Sequence, residues 1–236
     1  MSLPVAILAG GLAKRLGDVT AATPKALVEV AGRPFAEHQI DLLRRNGITD
    51  IVFLVGHIGG MIRDTIGNGS RWNISIRYVS DESRLLGTGG AIRHALPLLR
   101  DRFLVLYGDS YLECDYGAVE RAFLASGCDG LMTVHRNDNR WDRSNVRFEG
   151  GRILAYDKKN TTPEMHHIDY GLGAFRASAF EAFADGDAFD LVAVYQRLLA
   201  GGGLAGFDVP GRFYEIGSPE GLEETRGYLS AAQKTS

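Results

Sequence analysis

An apolar run with no polar interruption, Val5-Ala6-Ile7-Leu8, ends in Gly10-Gly11, and runs of the same kind return at Ile51–Val55 and Phe103–Tyr107. A strand with one wet face alternates apolar and polar residues, whereas a continuous apolar strand is covered on both faces. Between these runs the period becomes helical. Phe35–Arg45 places Ala36, Ile40 and Leu43 at i, i+4 and i+7, and Asn46-Gly47 stops it. Ile58–Ile66 and Gly90–Leu99 also read as helices, and Ile74–Val79 as a half-buried strand. Strands alternating with helices in this way call for a mostly parallel sheet with helices on both faces.

The rhythm changes after Asp109. Gly130–His135, Val146–Phe148, Ile153–Tyr156 and Gly171–Phe175 are short strands, with Glu149-Gly150-Gly151 as one of the turns between them. They predict an antiparallel flap added to the sheet. Helices are expected at Phe189–Leu199, closed by Gly201-Gly202-Gly203, and at Pro219–Leu229. The expected fold is α/β: a three-layer, mostly parallel, Rossmann-like sheet with that flap. With 236 residues and no repeat, it is expected to form a single domain over 1–236, its halves meeting near residue 110. The glycine triplet reads as a loop within that domain, with a linker as the alternative.

The net charge of −3 gives no surface-wide attraction for nucleic acid or an anionic membrane, so any positive potential has to be local. Cys114 and Cys128 match no metal spacing and suggest a reducing compartment. No apolar run approaches the roughly 20 residues that span a bilayer. Leu3–Leu8 is too short for a signal segment and lacks preceding positive charge. The expectation is a cytoplasmic protein with no membrane or nucleic-acid partner.

The chemistry starts at the first strand's end. Gly10-Gly11 lets main chain approach a ligand with bare N–H groups, and Lys14, Arg15 and Lys25 add cations suited to phosphate. A P-loop is excluded because Gly17 is followed by Asp18 rather than Lys-Ser/Thr. The adjacent glycines also break the dinucleotide spacing. Asp109 ends the strand Phe103–Tyr107 in Gly108-Asp109, at the sheet edge where ligands of open α/β sheets sit. It reads either as a Mg²⁺ carboxylate or as a turn aspartate. Glu215 reads as a second metal carboxylate or a surface charge. Gly87-Thr88-Gly89-Gly90 fits a nucleobase laid against main chain or a tightly packed helix start. Tyr156-Asp157-Lys158-Lys159 offers a lysine for a second phosphate, or a solvated cluster.

Taken together, Leu8-Ala9-Gly10-Gly11-(x)₃-Arg15, Pro24-Lys25-Ala26-Leu27, Ala31-Gly32-Arg33-Pro34, Leu86-Gly87-Thr88-Gly89-Gly90-Ala91 and Gly108-Asp109 resemble the sugar-1-phosphate nucleotidylyltransferases. The resemblance runs over roughly residues 3–230 and is most specific in the first 110. It implies attack of a sugar 1-phosphate on the α-phosphorus of a nucleoside triphosphate, with release of pyrophosphate. Residues 1–110 would then form the nucleotide-binding half and 111–236 the sugar-binding half.

The resemblance implies that Arg15, Lys25, Asp109 and Lys158 carry catalysis. Leu8, Ala9, Gly10, Gly11, Arg15, Lys25, Gly87, Thr88, Gly89 and Asp109 would bind the nucleotide. Asp157, Lys158, Asp169, Tyr170 and Gly171 would receive the sugar phosphate, and Asp109 with Glu215 would hold Mg²⁺. Two departures stand out: Glu215, where relatives usually have Asp, bears on metal geometry, and Asp169-Tyr170-Gly171, where they often have Asn-Ala-Gly, implies a sugar other than plain glucose. No β-helix tail lies within the resemblance, so acetyl transfer is not expected. GTP and a hexose or heptose 1-phosphate are the expected pair, with UTP or CTP as alternatives. A catalytically weak regulatory subunit that binds nucleotide sugar is the rival class. The expected state is a monomer or homodimer.

Overall fold

The computed structural model describes residues 2–11, 23–80 and 85–234. Its first strand, β1 (Val5–Leu8), lies between two other apolar strands, β4 (Asp50–Val55) and β6 (Arg102–Tyr107), parallel to both. Each of the three has a buried centre, as uninterrupted apolar runs require. β5 (Ser75–Ser80) continues the parallel order beyond β4. A two-residue hairpin, β2 (Glu29–Val30) with β3 (Arg33–Pro34), precedes helix α1 (Phe35–Arg45). Helix α2 (Gly59–Ile66) connects β4 to β5, and α3 (Gly87–Ala95) connects β5 to β6.

β7 (Ser110–Tyr111) leads into helix α4 (Tyr116–Ser126), which the strand pattern does not anticipate. Its punctuation is nonetheless ordinary: Asp115 caps the Ala118 N–H at 2.8 Å, and Gly127 ends it left-handed. Next come β8 (Gly130–Arg136), β9 (Val146–Glu149), β10 (Arg152–Tyr156) and the ten-residue β11 (His167–Arg176). Helix α5 (Leu191–Ala200), strands β12 (Leu204–Asp208) and β13 (Tyr214–Glu215), and helix α6 (Pro219–Lys234) complete the described chain.

The architecture is the expected three-layer α/β, mostly parallel sheet. Its antiparallel strands are hydrogen-bonded into the main sheet: β11 pairs antiparallel with β6 on one edge and with β8 on the other. β12 then extends β8 in parallel, and the β9–β10 hairpin joins at the start of β11 through His167 and Val146. α1, α2, α4 and α6 cover one face, around Ile7, Phe53, Leu104 and Leu172. α3 and α5 cover the other, around Ala6, Val52, Phe103 and Phe175. Since side chains alternate along a strand, every central strand feeds both cores. None of the described helices is long and apolar enough to cross a membrane.

Candidate active site

At the carboxyl ends of β1, β4 and β6 a cleft of about 570 Å³ opens toward α3 and α5. Leu8, Ala9, Gly10, Gly11 and Lys25 form one wall, Leu85, Gly87, Thr88 and Ala91 a second, and Tyr107, Gly108, Asp109 and Lys158 a third. Asp190, Leu191 and Val192 close it from the α5 side. Gly108 has to be glycine, because a Cβ there would run into the Leu8 carbonyl. Its N–H donates to that carbonyl at 3.2 Å, which ties the two strand ends together.

Near the glycine loop, the Lys25 ammonium lies 2.9 Å from Asp109 Oδ2, both side chains being partly open to the cleft. The Lys25 N–H donates to the Gly11 carbonyl, holding the Pro24-Lys25 segment against the glycine loop. Arg15, expected to share this role, lies outside the described residues. The turn bearing Asp109 is held from below by Gln39 of α1, whose buried amide donates to the Tyr107 and Ser110 carbonyls. Sequence reading missed Gln39. The signal available was a polar residue beside Ile40 on the apolar face of a helix.

β13 pairs with β7 so that Glu215 stands opposite Ser110, one residue from Asp109. Glu215 accepts hydrogen bonds from the Ser218 hydroxyl at 2.6 Å and from the Gly217 N–H. A Cβ on Gly217 would meet Glu215 Oε2 at 2.7 Å and both Asp109 Oδ2 and Lys25 Nζ at 3.4 Å. Two carboxylates and a lysine therefore converge on one point. Among the described residues no three His, Cys, Asp or Glu side chains cluster as a metal cage. Two carboxylate donors beside a lysine nevertheless suit Mg²⁺, which takes one or two carboxylates plus phosphate oxygens and waters.

The glycines after β5 divide in two. Gly87, at φ +71°, and Thr88 line the cleft. Gly89 and Gly90 instead donate to the Phe189 carbonyl at 2.9 and 3.1 Å, and Gly89 packs on the Phe189 ring. The Thr88 hydroxyl accepts from the Leu191 N–H at 2.8 Å, so α3 and α5 are laced together at their starts.

At the wall formed by β6 and β10, Lys158 Nζ lies 3.3 Å from Asp169 Oδ2 and 3.4 Å from the Tyr107 hydroxyl. Tyr107 and Tyr156 both donate to Asp169, at 2.8 and 3.2 Å. Burial first, then the Asp169 charge, pushes both phenols well above their ordinary range, so they stay protonated. Gly171, at φ +99°, donates its N–H to Asp169 Oδ1, and a Cβ there would press on the Tyr107 ring at 3.2 Å. Asp157 and Tyr170 are placed elsewhere. Asp157 is half-buried and accepts from the Asn160 and Lys159 N–H groups, bonds that lower its pKa. Tyr170 is buried on the opposite face, with its hydroxyl donating to the Arg212 carbonyl and its ring against Phe213 and His135.

The family model described as Nucleotidyl transferase matches residues 5–150, which carry Lys25 and Asp109. N-acetylmuramate alpha-1-phosphate uridylyltransferase from Neisseria meningitidis is 28% identical over 231 residues, covering 95% of this chain and 97% of that one. Mannose-1-phosphate guanylyltransferase from Mycobacterium tuberculosis is 26% identical over 219 residues, covering 91% of this chain and 61% of that one. Among solved structures, HddC from Yersinia pseudotuberculosis with GMP-PN superposes with a TM-score of 0.80 at 23% identity, over 97% of this chain and 100% of that one. The chain belongs to the nucleotidyl transferase family and is a sugar-1-phosphate nucleotidyltransferase.

Proposed function

We propose that the protein transfers a nucleotidyl group from GTP to a hexose or heptose 1-phosphate, giving an NDP-sugar and pyrophosphate. One observation carries this reading: the Lys25–Asp109 pair and Lys158 line the same cleft, so cations for two phosphates open into one space. An oxygen of the sugar phosphate attacks the α-phosphorus; the new P–O bond forms as the bond to the β-phosphate bridging oxygen breaks. The attacking oxygen is already anionic, so no general base is needed. Catalysis comes from positioning and from cations aimed at developing charge. Lys25 stabilises charge on the departing pyrophosphate, and Lys158 holds the incoming phosphate. Asp109 and Glu215 would hold Mg²⁺, which when bound neutralises phosphate charge.

Asp190 supports guanine as the base. Its carboxylate lies at the Gly87 end of the cleft, Oδ1 being 3.4 Å from where a Gly87 Cβ would stand, and it makes no capping bond to α5. A carboxylate accepts from the adjacent N1–H and N2–H groups of guanine but opposes the carbonyls that flank the N3–H of uracil. The test is a matrix of ATP, GTP, CTP and UTP against sugar 1-phosphates, read as released pyrophosphate. GTP is expected to give the highest kcat/KM, and Asp109→Ala to lower turnover by about 10²–10³. Asp190→Ala is expected to lower kcat/KM for GTP by roughly 10- to 100-fold, the size of one lost charge-assisted hydrogen bond, and to spare UTP. No pyrophosphate with any pairing would overturn the reading. UTP is the second reading, favoured by the near-complete coverage of the Neisseria uridylyltransferase.

A further inference from the structure

Asp169 does not line the cleft, although Lys158 and Tyr107 on either side of it do. Its side chain is 1% exposed. A carboxylate is acceptor-only, with about four lone-pair sites. Oδ2 accepts from the Tyr107 and Tyr156 hydroxyls and forms an ion pair with Lys158 at 3.3 Å, and Oδ1 accepts from the Gly171 N–H at 3.1 Å. The Asp169 N–H is also committed, to Asn145 Oδ1 at 3.0 Å. Little accepting capacity remains for a sugar hydroxyl, and two aromatic side chains stand around the carboxylate.

What Asp169 can do is orient its neighbours. A lysine side chain is rich in rotamers, and a flexible ammonium makes a poorly aimed phosphate ligand. Here the Lys158 ammonium sits over the Tyr107 ring, with Nζ 5.0 Å from its centroid and 3.3 Å from Asp169 Oδ2. Nζ also donates to the Tyr107 hydroxyl at 3.4 Å, which leaves one of its three protons uncommitted, and the side chain is 40% exposed and lines the cleft. We propose that Asp169 is a positioning residue: it fixes the Lys158 ammonium and the Tyr107 hydroxyl at the wall that receives the sugar phosphate, and does not itself touch the sugar. This rests on the transfer reading above and departs from the expectation that Asp169 contacts the sugar.

The test is a double-mutant cycle of Asp169→Asn and Lys158→Ala, with α-D-mannose 1-phosphate and GTP as the first probe pair. KM is measured for each substrate, alongside a melting temperature. Asp169→Asn is expected to raise the sugar-phosphate KM by about tenfold and leave the GTP KM unchanged. In the Lys158→Ala background the same substitution is expected to change it less than about twofold. Equal fold-losses in both backgrounds would mean direct contact with the sugar and overturn the proposal. A parallel rise in both KM values with a fall in melting temperature would mean a structural role and also overturn it. Tyr107→Phe is the second variant: it deletes the hydroxyl between Lys158 and Asp169, and its effect is likewise expected to vanish without Lys158. The cycle is repeated with equilibrium binding of inorganic phosphate, which needs no turnover. Coupling there with no pyrophosphate from any pairing would refute the transfer reading alone, and turnover without coupling would refute the positioning role alone.

Discussion

Glu215 is one methylene longer than the aspartate expected from the family resemblance, and its neighbours leave room for the extra length. The carboxylate folds back onto the start of α6, where the Gly217 N–H and the Ser218 hydroxyl donate to it. Gly221 lies directly behind. A Cβ there would run into the Glu215 carboxylate and come within 2.8 Å of the Glu215 carbonyl. Gly221→Ala should therefore pit two effects against each other. Alanine within a helix gains about 0.5–1 kcal/mol over glycine, but the carboxylate must move off its donors, and a charge-assisted bond is worth roughly 1.5–3 kcal/mol. The second effect is larger, so Gly221→Ala should lower stability slightly and raise the Mg²⁺ concentration for half-maximal pyrophosphate release. Glu215→Asp shortens the side chain and should relieve the effect of Gly221→Ala. The measurement is a Mg²⁺ titration of all four combinations; additive effects would show that Gly221 does not make room for Glu215.

At the scale of elements, β1 and α1 have the boundaries that their apolar pattern and stop signals predict, because burial alone sets them. α4 does not stand out because it lies between short strands, and only Asp115 and Gly127 mark its ends. β12 escaped for another reason: Gly206 sits where a Cβ would strike Phe148, so close packing there is achieved by omitting a side chain, which a hydrophobic pattern does not register. The site was legible where it is local, along 8–11 and 108–109. The approach of Glu215 to Asp109 depends on a ladder two residues long between segments about a hundred positions apart, and no periodicity marks it. α1 also carries a titration. The buried His38 Nε2–H donates to the Val30 carbonyl at 2.7 Å, while Nδ1 accepts from Arg33 at 3.2 Å, so the ring is held neutral. Burial chiefly, helped by Arg33 and opposed by the Val30 carbonyl, lowers its pKa below 6.5. The unfolded chain then takes up a proton that the folded chain refuses, and stability falls as pH drops below about 6.5. His167, lowered mainly by burial, adds to the same window. His38→Gln should cost stability at pH 8 yet flatten the decline between pH 7 and 5; an unchanged slope in urea midpoints would rule this out.

Over the whole molecule, the two halves of the chain, before and after about residue 110, share one sheet. β6, from the first half, is flanked by β1 on one side and β11 on the other: Val105 faces Ala6 and Gly173, and Leu106 faces Ile7 and Leu172. Both cores mix the halves, with Ile7, Phe53 and Leu172 on one face and Val52, Met132 and Phe175 on the other. Separating the halves would strip β6 of a hydrogen-bonded neighbour and open both cores at once, each exposed Leu or Phe side chain costing about 1.5–3 kcal/mol. The chain should therefore unfold as one cooperative unit, although it is longer than most strictly two-state domains. Its two tryptophans allow this to be measured. Trp72 packs against the first core, with Arg71 over its ring at 3.8 Å, whereas Trp141 belongs to the second half and stacks near His135 and Phe213. Trp141→Phe leaves Trp72 as the fluorescent reporter, and Trp72→Phe leaves Trp141. Within each variant, the urea midpoint by tryptophan fluorescence should coincide with that by far-ultraviolet circular dichroism. Nucleotide at 100 Kd adds about 2.7 kcal/mol to the folded state. A cooperative chain of this size then shifts by roughly 5–10 °C as a whole, so Trp141 should report the same rise as Trp72 although it lies outside the cleft. If nucleotide raises the Trp72 transition and leaves that of Trp141 in place, the halves are separate folding units and the shared sheet does not couple them.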